Sequence, residues 1–204
     1  MKENLRCQLI TLQEVYDLSF SLAQKILASS FRPDVIVAIA RGGFVPARFL
    51  CDFLDVKAMS SIGIRHYLAA ASKAPQAQLL YPLMADVKDK RVLITDDVND
   101  SGETLQVAVD YMATFSPSEV QTAVLHEKSN SSFQVQFKSK IITEWRWVIY
   151  PWAVVEDVGG LILREYSAVI ELEDLRQRLL KDHEIDVSRD VLKKVMMIHS
   201  HHRC

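Results

Sequence analysis

The chain has 204 residues, the length of one domain or of one domain with an appendage. Apolar residues make up 49% and charged residues 25%, which is typical of a globular protein, and the longest fully apolar run, Val35 to Ala40, is far shorter than the about 20 residues of a membrane span. A net charge of −2 argues against a general nucleic-acid binder, and three scattered cysteines argue against a disulfide framework. We therefore expect a cytoplasmic protein with no membrane span and no nucleic-acid partner.

Hydrophobic periodicity predicts alternating helices and strands along the chain. Residues 11–29 form a helix, at whose start Thr11 and Glu14 can make a capping box. The elements that follow are a strand at 34–40, a helix at about 46–53, a strand at 57–64, a long loop with or without a β-hairpin at 65–86, a strand at 91–95, a helix to about 115, strands at 119–125 and 145–150, and two polar helices between 171 and 204, broken near 182–186. Alternating strands and helices indicate βαβ units, so we predict an α/β fold with a parallel sheet flanked by helices and a helical C-terminal extension.

The strongest functional signal is the segment VLITDDVNDSGET, residues 92–104. An apolar strand ends in two adjacent carboxylates, Asp96 and Asp97, and a turn containing Asp100 leads into a helix. Ligands of open α/β sheets bind at the carboxyl ends of strands, and the free amides of a helix start attract phosphate. Paired carboxylates suit ribose hydroxyls or a Mg²⁺ ion shared with a substrate. Without further signals, the segment would be an acidic strand-to-helix turn, since acids are common at helix starts.

This segment resembles the 5-phosphoribosyl-1-pyrophosphate (PRPP) motif of the type I phosphoribosyltransferases, in which two acids and a short apolar pair precede Asp, Thr or Ser, Gly, any residue and Thr. The resemblance implies that Asp96 and Asp97 face the ribose hydroxyls of PRPP, directly or through Mg²⁺, and that Asp100 is the catalytic base near purine N7. It implies that the 5′-phosphate is bound by Asp100, Ser101, Gly102, Glu103 and Thr104. Asn99 departs from the motif, because an apolar residue is usual at its position.

A second resemblance lies in the tripeptide Arg41-Gly42-Gly43 and the Phe-Val-Pro that follows it. It is similar to the pyrophosphate-binding loop of the xanthine-guanine branch of the family, in which a peptide bond beside the arginine is often cis. The resemblance implies that Arg41 and the backbone of the two glycines bind pyrophosphate. Residues 65–80 correspond in position to the family's flexible catalytic loop, and Lys73 is the preferred candidate there for a further pyrophosphate contact. The other candidates in this loop are Arg65, His66 and Tyr67.

The resemblance also supplies a purine pocket, through a spacing similar to that of the 6-oxopurine phosphoribosyltransferases. It implies that Lys128 donates to the purine 6-oxo group, that Trp147 stacks on the base and that the backbone of Val148 faces the 2-position. Without the resemblance, Lys128 would be taken for a solvated surface lysine and the tryptophans for core residues. We assign Trp152 to the core.

Together these segments predict a purine salvage enzyme. The reaction implied is transfer of the 5-phosphoribosyl group from PRPP to guanine, xanthine or hypoxanthine, with Mg²⁺ and release of pyrophosphate, in a homo-oligomer. We divide the chain into a core with a small hood at 1–157, the hood at about 126–157, and a helical extension at 158–204. The alternative is a non-catalytic regulator of the same fold that senses PRPP or a nucleotide. The paired acids, the phosphate loop and Arg41 argue against it.

Overall fold

The computed structural model describes residues 5–66, 77–166 and 171–201. The elements, in chain order, are β1 (Cys7–Leu9), α1 (Leu12–Ala28), β2 (Val35–Ala40), α2 (Phe44–Phe53), β3 (Met59–His66), β4 (Ala77–Tyr81), β5 (Arg91–Asn99), α3 (Glu103–Ala113), β6 (Glu119–Lys128), β7 (Phe137–Ile142), β8 (Trp147–Ile149), α4 (Val154–Glu165), α5 (Leu172–His183) and α6 (Arg189–His201). They form two compact units. The central unit is Val15–Glu144, and the terminal unit joins Met1–Glu14 to Trp145–Cys204.

A six-stranded sheet in the order β4-β3-β2-β5-β6-β7 forms the middle of the central unit. All neighbouring strands are parallel except β3 and β4, which are antiparallel. In β2, Val35 to Ile39 are all buried, as expected for an apolar strand in the interior of a parallel sheet. The predicted α/β fold with a parallel sheet is therefore confirmed, and β2 and β5 lie side by side at its centre.

Helix α1 begins where the capping box predicts. The backbone N–H of Thr11 donates to Glu14 Oε2 over 2.7 Å, and the N–H of Glu14 donates to Thr11 Oγ1 over 3.1 Å. These bonds satisfy amide groups that have no partner within the helix. The buried face of α1 carries Val15, Leu22 and Ile26, at the spacing of an amphipathic helix.

Three strands extend beyond their predicted ends, and two others were missed. β3 continues past residue 64 to His66. β5 continues from Thr95 to Asn99, because its polar residues stay paired with β6 as far as Asn99 and Glu127. β6 likewise continues to Lys128. β7 and β1 were not predicted: the first, FKSKII, has two lysines and a serine between its apolar residues, and the second has only three residues. The antiparallel pairing of β3 with β4 is the hairpin that the sequence left open for 65–86.

The terminal unit has its own apolar core. β1 and β8 pair in parallel as a two-stranded sheet, and the helices α4, α5 and α6 contribute buried residues that include Leu161, Leu179 and Leu192. The two predicted C-terminal helices are present, with the break at 184–188. The predicted boundary after residue 157 falls within α4, and that division of the chain stays a prediction. None of the helices within the described ranges is sufficiently long and apolar to span a bilayer.

Candidate active site

The paired acids lie at the carboxyl end of β5 in the middle of the sheet. Asp96 is buried, with 8% of its surface exposed, and Asp97 is half-buried. The backbone N–H of Asp97 donates to Asp96 Oδ1 over 2.9 Å. Burial raises the pKa of Asp96 well above its usual range, and the negative charge of Asp97 raises it further. Hydroxyl donors or a cation placed beside these acids would therefore be bound favourably.

The glycine loop after β2 packs directly against the paired acids. A Cβ on Gly42 would lie 2.6 Å from Asp97 Cγ and would overlap the Oδ2 atom of the same residue. A Cβ on Gly43 would overlap the carbonyl oxygen of Thr95 and lie 2.8 Å from that of Ile39. A Cβ at position 43 would thus displace backbone, and one at position 42 would displace the Asp97 carboxylate. The predicted pyrophosphate loop therefore adjoins the predicted ribose site. The Ala40–Arg41 peptide bond is cis.

The predicted phosphate loop forms the turn between β5 and α3. Gly102 has a φ of 96°, a conformation that favours glycine, and a Cβ there would lie 2.6 Å from Phe133 N. Helix α3 begins at the next residue, Glu103, so the first amides of the helix open onto the loop. The carbonyl oxygen of Ser101 accepts the backbone N–H of Ser132 over 3.1 Å and its hydroxyl over 2.8 Å. The loop therefore combines the N-terminal amides of a helix with a fixed backbone, which suits a phosphate group.

The predicted catalytic base and the predicted purine-binding lysine form an ion pair. Lys128 Nζ lies 2.6 Å from Asp100 Oδ2. The lysine is the last residue of β6 and only 3% exposed, whereas the aspartate side chain is 39% exposed. The alternative of a solvated surface lysine is therefore wrong, because a buried ammonium is tolerated only with such a partner. The pair places one charged donor and one acceptor side by side next to the phosphate loop.

Comparison with known proteins agrees with this geometry. The profile of the family described as "Phosphoribosyl transferase domain" matches residues 8–157. The chain belongs to this family.

Its relatives include 6-oxopurine phosphoribosyltransferases. The chain is 30% identical over 122 residues to the "Xanthine-guanine phosphoribosyltransferase" of Ruegeria sp., an alignment covering 57% of the chain and 66% of the relative. It is 34% identical over 113 residues to the "Hypoxanthine-guanine phosphoribosyltransferase" of Schizosaccharomyces pombe, an alignment covering 47% of the chain and 54% of the relative. The chain thus spans about half to two thirds of these curated relatives. These names confirm the resemblance to the 6-oxopurine branch.

A solved structure supports the same family at greater coverage. The crystal structure of a purine phosphoribosyltransferase from Pyrococcus horikoshii superposes with a TM-score of 0.63 and 30% identity. The match covers 72% of this chain and 94% of that one. The described fold is therefore that of a phosphoribosyltransferase, with α5 and α6 outside the residues matched by the family profile.

Within this phosphoribosyltransferase fold, the predicted purine-binding residues Trp147 and Val148 lie in the terminal unit, on β8. The backbone N–H of Trp147 donates to Arg6 O over 2.9 Å, and the carbonyl of Ile149 accepts from Ile10 N over 2.9 Å. Successive residues of a strand turn their backbone groups to opposite sides. The N–H and C=O of Val148 therefore point away from β1.

The two tryptophans of this segment have different surroundings. Trp147 packs on the core of the terminal unit, and its indole N–H donates to the carboxylate of Asp157 on α4. Burial raises the pKa of Asp157, and the indole bond lowers it. Trp152 is half-buried, with its ring stacked on that of Tyr150 at 4.8 Å and 4°. The indole bond of Trp147 is not visible in the sequence, because nine residues and the start of a helix separate its partners.

Part of the predicted pyrophosphate site lies outside the residues that the structure describes. Lys73 and Tyr67 lie outside the described residues. Arg65 and His66 end strand β3, and their side chains also lie outside the description. The structure thus brings together the motif acids, the phosphate loop, the glycine loop and Lys128, all within the central unit.

Proposed function

We propose that this family member transfers the 5-phosphoribosyl group of PRPP to a 6-oxopurine base and releases pyrophosphate, as a purine salvage enzyme. The observation that carries the proposal is the ion pair of the buried Lys128 with Asp100 beside the phosphate loop. A fixed ammonium at that place selects a base with an acceptor at its 6-position. The names of the Ruegeria and Schizosaccharomyces relatives support guanine, hypoxanthine and xanthine as the candidate bases.

PRPP would bind along the carboxyl edge of the sheet. Its 5′-phosphate fits the amides and hydroxyls of the phosphate loop, and its ribose hydroxyls fit Asp96 and Asp97. Its pyrophosphate fits Arg41 and the backbone after it, with Lys73 as the proposed further contact. The close approach of Gly42 to Asp97 supports this order, because ribose and pyrophosphate are adjacent in PRPP.

The paired acids also fit a Mg²⁺ ion. Two neighbouring carboxylates are typical magnesium ligands when substrate phosphates complete the shell. Asp96, whose pKa is raised by burial and by Asp97, would gain from a cation in its ionised form. Mg²⁺ would arrive with PRPP, whose phosphate oxygens would complete its shell. When bound, the ion neutralises charge on the departing pyrophosphate.

The protein would recognise the purine through a hydrogen-bond donor that faces the 6-position of the base. The ammonium of Lys128 has three N–H donors and no acceptor, so it suits a 6-oxo group and not the 6-amino group of adenine. Trp147 would stack on the ring, and such stacking contributes about 1–3 kcal/mol per base. The backbone of Val148 would face the 2-position, where guanine carries a donor and xanthine an acceptor.

The reaction itself would be a displacement at the anomeric carbon of PRPP. The bond from this carbon to the pyrophosphate oxygen breaks, a bond to the purine nitrogen forms, and the ribose carries oxocarbenium character in between. The purine loses a proton, and Asp100 is its proposed acceptor, a role supported by the contact of Asp100 with the proposed purine-binding Lys128. The rest of the site holds the two substrates in line and stabilises the developing charges. We expect this enzyme to act in the cytoplasm as a homo-oligomer.

The test is product formation. Purified protein with PRPP and Mg²⁺ is given guanine, hypoxanthine, xanthine or adenine, and the nucleoside monophosphate is measured by chromatography. We expect product with at least one 6-oxopurine, and kcat/KM for adenine lower by at least about 10²-fold, because the buried donor of Lys128 then faces another donor. Equal turnover of adenine would contradict the proposed pocket. Tight PRPP binding without product from any base would instead favour the regulator.

A further inference from the structure

The residue that departs from the family motif, Asn99, is built into the site and does not face solvent. It is the last residue of β5 and only 2% exposed. Its Nδ2 donates to the carbonyl oxygen of Phe133 over 2.9 Å, with a second, longer contact of 3.5 Å to Glu127 Oε2. The apolar residue usual at this position could make neither bond.

The segment that Asn99 holds lies against the phosphate loop. We call residues 131–135 the backing segment. A Cβ on Gly102 would lie 2.6 Å from Phe133 N, so the two backbones are in close contact. Ser132 donates twice to the carbonyl oxygen of Ser101, as described above. The loop therefore takes its position from the backing segment as well as from β5 and α3.

Glu127 anchors the other end of the same segment. Its Oε2 accepts the backbone N–H of Val135 over 3.3 Å, and its Oε1 forms an ion pair with Lys138. The carboxylate is only 12% exposed, which strengthens these bonds relative to a solvated ion pair. Asn99 and Glu127 are opposite each other in the register of β5 and β6. Together they bind the backing segment to the end of the sheet.

We propose that Asn99 is a positioning residue that sets the affinity of the phosphate loop for a 5′-phosphate, through its bond to Phe133 in the backing segment. The inference rests on the proposed function for the identity of the ligand, a ribose 5-phosphate group. Asn99 itself would make no direct contact with that ligand. Its loss would move Phe133, and with it the backbone that packs on Gly102.

The experiment compares two ligands that use different parts of the site. Binding of ribose 5-phosphate and of pyrophosphate is measured by titration calorimetry in wild type, in Asn99→Leu and in the control Asn130→Leu, whose side chain is exposed. We expect Asn99→Leu to weaken ribose 5-phosphate about tenfold, because a buried carbonyl loses its donor. Pyrophosphate, which depends on the Arg41 loop, should bind within about twofold of wild type, and the control should change neither affinity.

Equal loss of both ligands in Asn99→Leu would show a general structural role and overturn the proposal, as would no loss of ribose 5-phosphate. If Asn99→Leu does not fold, Ser132→Ala carries the test: it removes one exposed hydroxyl bond to Ser101 and should weaken ribose 5-phosphate about threefold. Wild type that binds ribose 5-phosphate but makes no nucleotide would contradict the proposed function and leave this inference standing. Wild type that binds neither ligand would overturn both.

Discussion

The two halves of the proposed site are built in different ways. In the central unit, the PRPP half is made of strand ends and of loops that touch through glycine, so its geometry is fixed by backbone close to the motif residues. In the terminal unit, the proposed purine contacts other than Lys128 lie on a three-residue strand whose side chains share a core with α4, α5 and α6. Backbone packing of the first kind produces a recognisable motif in the sequence. Side-chain support of the second kind produces almost no sequence signal.

Polar contacts in the terminal unit illustrate the second kind of support. Glu184 lies just after α5 and forms ion pairs with Arg146, next to β8, and with Arg6, next to β1, the latter at 3.6 Å. Its hydrogen bond with Arg146 lowers the pKa of the Glu184 carboxyl. This single residue after α5 thus contacts the flanks of both strands. Because the two halves are held by different contacts, we expect each to be altered separately by substitution.

The largest effect is expected at the paired acids. In the double variant Asp96→Asn, Asp97→Asn, PRPP binding in the presence of Mg²⁺ should fall below detection, because ribose and metal both lose their carboxylates. The unfolding temperature should be unchanged or higher, since a buried carboxylate beside a like charge destabilises the fold. Calorimetry and thermal unfolding measure the two effects. Wild-type affinity for PRPP in this variant would contradict the assignment.

The next effect concerns catalysis. Asp100→Asn should lower kcat by about 10²–10⁴-fold, the usual contribution of a positioned acid or base, with a smaller change in KM for PRPP. The amide keeps the size of the side chain and an oxygen that can accept from Lys128, so the loop should keep its shape. Asp110→Asn, at an exposed position on α3, is the control. An unchanged kcat would limit Asp100 to shaping the loop.

Base selection should depend on Lys128. In Lys128→Ala, the preference for a 6-oxopurine over adenine should fall by about 10²-fold, because the buried donor is lost. Steady-state kinetics with guanine and adenine give the ratio, and Lys140→Ala, an exposed lysine on β7, should leave it unchanged. A preference that survives in Lys128→Ala would remove this residue from the purine pocket.

A smaller change is expected in the terminal unit. Asp157→Ala removes the acceptor of the Trp147 indole N–H and should raise KM for the purine about three- to tenfold, while KM for PRPP stays constant. The emission spectrum of the tryptophans should shift, since the indole then loses a buried charged partner. Glu156→Ala, at the exposed neighbouring position, is the control. A rise in KM for PRPP equal to that for the purine would show that the two halves are not separable.

The smallest effect is expected on stability, when Gly160 in the terminal unit is replaced by alanine. Gly160 lies within α4, with open space where a Cβ would be placed. Gly160→Ala should raise the free energy of unfolding by about 0.5–1 kcal/mol through helix propensity, with unchanged activity. Gly43→Ala should instead impair folding, because its Cβ would overlap two backbone oxygens. Denaturant unfolding of both variants tests the contrast.

Sequence analysis predicted the central unit well, because βαβ units carry a strong periodic signal. The strand at 34–40, the capping box of α1 and the glycine loop all follow from local patterns. The sequence predicted the end of β5 too early, at Thr95. The residues after Thr95 are mostly polar and give no hydrophobic signal, so only their pairing with β6 shows that the strand continues. The bonds of Asn99 and Asp157 were out of reach for the same reason: each joins residues that only the fold brings together.

The contact between Gly42 and Asp97 also constrains how the family member can vary over evolutionary time. A side chain at position 42 would occupy the space of the Asp97 carboxylate, so a larger residue at 42 requires that carboxylate to move or a smaller residue at 97. A change of Asp97 alone needs no change at 42, and we therefore expect larger residues at 42 to occur together with a substitution at 97. A library randomised at both codons, and selected only for soluble protein, should recover larger residues at 42 paired with Gly, Ala or Ser at 97.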